Sequence, residues 1–264
     1  DGIRRRGAET DRVEAGRQRG LRKLTMNTES PNRIIQIVCL ANSRKISGRC
    51  IAGKEIDTLG KAGRWIRPIS MRSSHEISEE ERRYSNGEMA QLLDIVEIPC
   101  IRPMPQKHQP ENMLIDDRFY WQRKGQIDWQ SLQSMLDKPT PLWVNGFSTR
   151  YYGQNNRIPE ELLDLHAGSL RLINLSRIVL NAGPKAPEFG NMKPVVRASF
   201  DFEGNHYCLD VTDPDVETNC LRMGAGEYVL DSVLVCISLT ELWEGYVYKV
   251  VASIITPKRA ARHE

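Results

Sequence analysis

Ile34-Ile35-Gln36-Ile37-Val38-Cys39-Leu40 is an almost unbroken apolar run of strand length, and the order of the segments after it decides the fold. Gly48 to Ile56 and Gly63-Arg64-Trp65-Ile66-Arg67-Pro68-Ile69 are two more short strands, joined by the hairpin-like Asp57-Thr58-Leu59-Gly60-Lys61-Ala62. Ser78, with Glu79, Glu80 and Glu81 after it, has the form of a helix N-cap with acids in the first turn. It predicts a short helix ending near Asn86-Gly87. Leu92 to Ile101 is a fourth strand. Three strands, a short helix and further strands are the order of a small closed β-barrel with its helix between the third and fourth strands.

The order then repeats. Pro103, Pro105 and Pro110 mark extended chain, and Phe119 to Gln122 reads as an edge strand. Asp128 caps a predicted helix Trp129–Leu136, which Pro139 and Pro141 stop, and Pro159 opens another to Leu165. Leu170–Leu180, Val195–Phe202 and His206–Val211 are strands, with a turn at Glu203-Gly204-Asn205. A helix starts at Thr212-Asp213-Pro214-Asp215, and Ser232–Leu239 and Gly245–Thr256 are closing strands. The repeat is one of architecture, not of residues. The expected fold is mainly β with short helices: two OB-like five-stranded barrels in one chain. Residues 33–125 form the first barrel, 126–168 a helical or irregular connection and 169–256 the second barrel. Residues 1–32 are a flexible or non-native tail and 257–264 a basic tail.

The 264 residues are 40% hydrophobic and 27% charged, enough apolar side chain for a core and too much for a wholly disordered chain. No run of about 18 uncharged apolar residues occurs, so no membrane-spanning helix is expected. Residues 1–25 are Arg-rich and have no apolar signal core. They read either as sequence upstream of a start at Met26 or as an RNA-binding arm. With no export signal, the six cysteines are expected as reduced thiols in a cytoplasm.

The net charge of +3 hides its distribution. From Ser43 to Ser73 there are eight bases and two acids; from Glu76 to Asp117 there are four bases and ten acids. The bases form either a solvated surface with compensating pairs or a basic groove. Strand alternation puts Trp65 and Arg67 on one face and Arg64 and Ile66 on the other. Trp65 then either stacks on a base or fills the barrel. Ser43-Arg44-Lys45-Ile46-Ser47-Gly48 reads as the loop between strands one and two, rich in groups that suit phosphate. The candidate nucleic-acid contacts are Ser43, Arg44, Lys45, Arg49, Lys54, Arg64, Trp65 and Arg67, with RNA or single-stranded DNA as partner and binding that weakens steeply with salt.

Other motifs fail on spacing. Gly53 to Gly60-Lys61 has six residues between its glycines where a phosphate loop has four, and Ala62 stands where the hydroxyl belongs. Gly224-Ala225-Gly226 is a turn before a strand, not a dinucleotide fingerprint. No pattern calls for a cofactor or metal, and no catalytic residue is assigned. Asp210, Asp213, Asp215 and Glu217 are explained by helix capping; a magnesium-dependent nuclease or nucleotide hydrolase is the enzymatic rival. An adaptor that binds protein or a small nucleotide is the other rival.

Several stretches match a known pattern together: Ser43-Arg44-Lys45 through Gly48-Arg49-Cys50-Ile51-Ala52-Gly53; Gly63 to Ser70; Gln109-Pro110-Glu111-Asn112; and Ser238-Leu239 with Gly245-Tyr246-Val247-Tyr248-Lys249-Val250-Val251-Ala252. From about Arg33 to Ile255 the chain resembles the bacterial dual OB-fold domain family. The resemblance implies two OB-like barrels and a nucleic-acid-binding role in genome-conflict or defence settings. It carries over no catalytic residues.

Overall fold

The computed structural model describes residues 31–139, 141–150, 152–164 and 166–261. The expectations for residues 1–30, and for Arg262 in the basic tail, lie outside the described residues.

The first barrel is built from β1 (Arg33–Lys45), β2 (Gly48–Ile56), β3 (Ala62–Ile69), β4 (Asp94–Pro103) and β5 (Asn112–Ile115). The hydrogen-bonded order is β1-β2-β3-β5-β4, and an antiparallel β1–β4 pairing closes the ring. The β3–β5 pairing is parallel. A further strand, β6 (Gln122–Gln126), adds to the outer side of β4. The second barrel has β8 (Leu170–Ala186), β9 (Asn191–Phe202), β10 (Asn205–Val211), β11 (Gly226–Leu239) and β12 (Tyr246–Ile255). Its order is β10-β9-β8-β11-β12, closed by a parallel β10–β12 pairing. In each ring the first strand pairs with the second and fourth, and the third runs parallel to the fifth. This is OB-barrel topology twice. The short strand β7 (Arg157–Pro159), from the connection, extends the second sheet at β12.

The helices differ from expectation in instructive ways. The helix between strands three and four exists in the second barrel as α2 (Pro214–Met223) but not in the first. Ser78 and Glu81 do exchange capping-type hydrogen bonds, Glu81 accepting from the Ser78 N–H and hydroxyl. They close one turn only, because Tyr84 bonds to the backbone of Glu88 and Ala90 to Arg82 as a tight hairpin. The helix capped by Asp128 is the short α1 (Trp129–Gln133), and Pro159 leads only into a 3-10 turn at Glu160–Leu162. Residues Pro257–Ala260, expected as a tail, form α3, capped by Thr256.

The barrels do not sit on a flexible tether. One apolar cluster joins Val38, Leu40 and Ala52 of the first barrel to Leu170, Leu172, Leu234, Ala252 and Ile255 of the second, with Leu132 and Met135 filling one side. The Ser253 hydroxyl donates to the Leu40 carbonyl across this seam. Gly53 sits where β2 crosses the bulge of β1 at Cys39/Ala41, and a Cβ there would run into the Val38 carbonyl. Each barrel keeps its own interior as well: Ile35, Ile37, Ile66, Ile98 and Trp121 in the first, Ile178, Leu180, Phe200, Tyr207 and Val235 in the second.

A buried lysine ties the connection to the second barrel. Lys249, on β12, donates to the Val144 carbonyl at 2.7 Å and to Asn145 Oδ1 at 2.8 Å, and is 1% exposed. Burial pushes its ammonium down to about 7 from 10.5. Between those values the unfolded chain holds one proton more than the folded one, so this group makes stability rise with pH there. Chemical denaturation from pH 7 to 9 is expected to show a rise on the order of 1 kcal/mol per pH unit in wild type relative to Lys249→Met. Parallel profiles would show that Lys249 stays charged when folded.

Candidate nucleic-acid interface

On an OB barrel the ligand lies across strands two and three, framed by the loop between strands one and two and the loop between strands four and five. On the first barrel that face carries most of the residues expected to bind phosphate. The fold gives them a different task.

Arg67 is 4% exposed. Its guanidinium donates to the hydroxyls of Ser169 (2.7 Å) and Ser238 (3.1 Å), both from the second barrel, and lies 3.4 Å from Glu111. Lys54 is buried and donates to the Met135 carbonyl and to Asp137, each at 2.7 Å. The half-buried Trp65 donates its indole N–H to the other Asp137 oxygen at 3.0 Å, and the Lys54 ammonium lies 5.3 Å from the ring centroid. Asp137 also accepts from the Leu172 N–H, so the segment after α1 covers the β2–β3 face and pins it to the second barrel. Ser43 is buried and donates to Cys50. Ser43, Lys54 and Arg67, expected as ligand contacts, are buried among protein partners. The expected Ser43–Gly48 loop is mostly strand, with β1 and β2 running to a two-residue turn at Ile46-Ser47.

The remaining cations of the set are engaged less completely. Arg44 pairs with Glu217 at 2.8 Å and Lys45 with Glu241 at 2.7 Å, both across the barrel seam. Arg64 pairs with Glu55 within the first barrel and remains exposed. Arg49 is half-buried and, among the described residues, makes no ion pair; it lines a small cavity at the seam. The first barrel's loop between strands four and five also makes long-range contacts: His108 contacts the Thr240 carbonyl of the second barrel at 2.8 Å, and Lys107 pairs with Glu160 of the connection.

The four clustered carboxylates do not converge. Asp210 faces Arg197, Glu217 faces Arg44, and Asp213 and Asp215 both bind Arg259. Asp213 is the N-cap of α2, as capping predicts. Among the described residues no group of three or more His, Cys, Asp or Glu side chains is placed to hold a metal ion.

The equivalent face of the second barrel, among the described residues, keeps an open cleft. Along β9 the buried Val196, Ala198 and Phe200 alternate with Arg197, Ser199 and Asp201, which point outward. Along β10 the buried Tyr207 and Leu209 alternate with His206, Cys208 and Asp210. Register pairs Arg197 with Asp210, Ser199 with Cys208 and Asp201 with His206. A backbone bridge between Gln154 and Cys208 brings Tyr152 over this surface. Tyr152 is 58% exposed, its ring is 5.5 Å from the Arg197 guanidinium, and its hydroxyl donates to Glu188. The cleft so formed holds about 580 Å³, lined also by Asn181 and Pro187. Phe189 and Met192 are exposed at the tip joining strands one and two, and Trp243 (66% exposed) lies in the loop joining strands four and five. Sequence reasoning passed over these residues because they come from four separated segments and only pairing of β9 with β10 and of Gln154 with Cys208 assembles them. The signal that could have found them is topological: in the second barrel strands two and three are β9 and β10, the strands across which OB barrels take their ligands.

No helix among the described residues is long and apolar enough to cross a membrane. No curated protein and no solved structure matches the chain. A family described as the dual OB-containing domain matches residues 35–254, which is most of the sequence and spans both rings of strands. The chain belongs to the dual OB-containing domain family.

Proposed function

We propose that this chain binds single-stranded RNA or DNA across the β9–β10 face of its second barrel, without chemistry of its own. The observation that carries the reading is the exposed Tyr152 ring lying against Arg197 on the β9–β10 face, which keeps an open cleft among the described residues. Tyr152 offers a base-stacking platform backed by a cation, and stacking tolerates any base. Asn181, Ser199 and His206 supply hydrogen-bonding groups for base edges or sugar. Phe189 and Trp243 are exposed on the two framing loops of the same barrel.

The charge of this face sets the kind of binding. Arg197 and His206, the two basic side chains that line the cleft, each face a carboxylate. Stacking and base contacts therefore dominate over phosphate attraction. The salt dependence is correspondingly shallow: two phosphate contacts to a single strand give a slope of about −1.4 in log K against log salt. This replaces the steep dependence that the cationic stretch in the sequence suggests.

Fluorescence anisotropy with a labelled single-stranded 12-mer tests the reading. Tyr152→Ala is expected to weaken binding about tenfold or more, the loss of one stacked base. Arg64→Ala, on the first barrel, is expected to leave it unchanged. Equal affinities for wild type and Tyr152→Ala would remove the second-barrel face from consideration; a tenfold loss in Arg64→Ala would return the site to the first.

A further inference from the structure

A second polar cavity, of about 270 Å³, lies where the barrels meet. Its walls come from both: Asn42 of β1, Arg49 of β2 and Arg82 of the β3–β4 connection on one side, Asp213, Asp215 and Arg259 on the other. Arg259 is consumed by the two aspartates. Arg49 and Arg82 are not matched in this way. Arg82 is 7% exposed, and its Nε–H is buried with no acceptor. Its nearest carboxylate among the described residues is the exposed Glu79, at 3.8 Å, too long for a hydrogen bond. Glu81, the closer acid in sequence, is engaged by Ser78 and Arg72. Asn42 has its amide nitrogen bonded to the Ala90 carbonyl, while its Oδ1 is buried with no donor.

Two guanidinium groups near one another with no carboxylate between them, one of them buried, are a site short of an anion. Burial disfavours the charge of Arg82, the neighbouring Arg49 adds to this, and the Arg82 pKa is lowered. A dianion with oxygens in the guanidinium plane relieves both effects, and Arg matches phosphate geometry bidentately. The orphaned Asn42 oxygen asks for a hydrogen-bond donor beside that anion. Asp213 and Asp215 both bind Arg259, which offsets one of their two charges; with Arg49 and Arg82 counted, the three guanidinium groups of the lining still outnumber its two carboxylates.

We propose that this seam cavity binds a phosphate monoester that carries a neighbouring hydroxyl, the phosphate between Arg49 and Arg82 and the hydroxyl on Asn42 Oδ1. The cavity is smaller than most small-molecule sites, so it takes phosphate and sugar and leaves a base outside. The chemistry is that of a nucleoside monophosphate or of a phosphorylated strand end. The inference does not depend on the β9–β10 face.

Isothermal titration calorimetry on the full chain tests it, with inorganic phosphate, adenosine 5′-monophosphate and adenosine as probes. Saturable binding is expected for phosphate, tighter binding for the nucleotide and none for adenosine. Arg49→Gln is expected to weaken the nucleotide about tenfold or more, the loss of a hydrogen bond to a charged group. Arg49 is half-buried and unpaired, so this variant folds where the buried Arg82→Met is at risk. Tyr152→Ala is expected to bind the nucleotide as wild type does, which separates this site from the second-barrel face. Oligonucleotides with and without a 5′-phosphate then distinguish the two sources: a preference for the phosphorylated end, lost in Arg49→Gln, assigns the site to strand ends, and no preference assigns it to the free nucleotide. No saturable heat with phosphate or nucleotide, or equal nucleotide affinity in Arg49→Gln, overturns the proposal.

Discussion

Arg67→Ala is expected to destabilise the protein by about 3–5 kcal/mol, the cost of leaving one partner of a buried ion pair alone. Arg67 and Glu111 face each other at 3.4 Å with almost no solvent access, and the Arg67 N–H also donates to the Glu111 carbonyl. Truncation strands the Glu111 carboxylate, which the Ser169 hydroxyl still reaches, and removes the donor to Ser169 and Ser238. Because those serines belong to the second barrel, the damage falls on the seam as well as on β3. Urea denaturation checks the magnitude. A double variant, Arg67→Met with Glu111→Met, is expected to recover part of the loss, since replacing both charges by apolar groups avoids the unpaired carboxylate. A loss below about 1 kcal/mol in Arg67→Ala would mean that water enters the seam and solvates Glu111. The same variant bears on function: any loss of nucleic-acid binding in it reports unfolding, and at temperatures where the fold persists its affinity is expected to equal that of wild type.

In the cationic stretch from Ser43 to Ser73, Arg44, Lys45, Lys54, Arg64 and Arg67 face carboxylates. The strand pattern was legible there. Ile34–Leu40, Gly48–Ile56 and Gly63–Ile69 are strands because short apolar runs between turn residues have few other solutions, and the repeated order led to two OB rings. The absence of a helix at Ser78 was not legible, since a capping pair closes one turn whether or not a helix continues behind it. Local charge does not show where the counter-charges lie. Arg44 and Glu217 are 173 residues apart, Lys45 and Glu241 196 apart. A window of thirty residues shows the cations and hides the acids that neutralise them. The same holds for Trp65: its alternation on the strand is correct, but Asp137, from the far side of the connection, decides that its N–H faces protein. A barrel seam rich in cross-barrel ion pairs and an open nucleic-acid groove have the same local composition. They differ only in where the counter-charges come from, and that is a property of the fold.

Asp213→Ala is expected to be as damaging, again about 3–5 kcal/mol, through three losses at one buried carboxylate. Asp213 is 1% exposed. Its Oδ1 accepts from the N–H groups of Asp215 and Val216 as the N-cap of α2, a role worth about 1 kcal/mol by itself. Its Oδ2 accepts from the Ile254 N–H on β12, and both oxygens bind the Arg259 guanidinium of α3. One side chain thus fixes the start of α2, the end of β12 and the placement of α3 against the seam. Alanine leaves the Ile254 N–H without its acceptor and Arg259 with the Ile254 carbonyl and one carboxylate, Asp215, whose side chain is 70% exposed. Asp215→Ala removes that exposed pair alone and is expected to cost less than about 1 kcal/mol. Asp213→Asn, which keeps a capping oxygen but not the charge, is expected to fall between the two. Thermal and urea unfolding of the three variants give the ordering. The enzymatic rival makes the opposite demand on Asp213: a magnesium ligand is held at a cost to stability, so its removal would leave the fold intact or strengthen it while abolishing a metal-dependent activity. A stable Asp213→Ala protein would therefore reinstate the carboxylate cluster as a candidate metal site. A protein that loses several kcal/mol identifies Asp213 as the clamp that holds helix, strand and seam together.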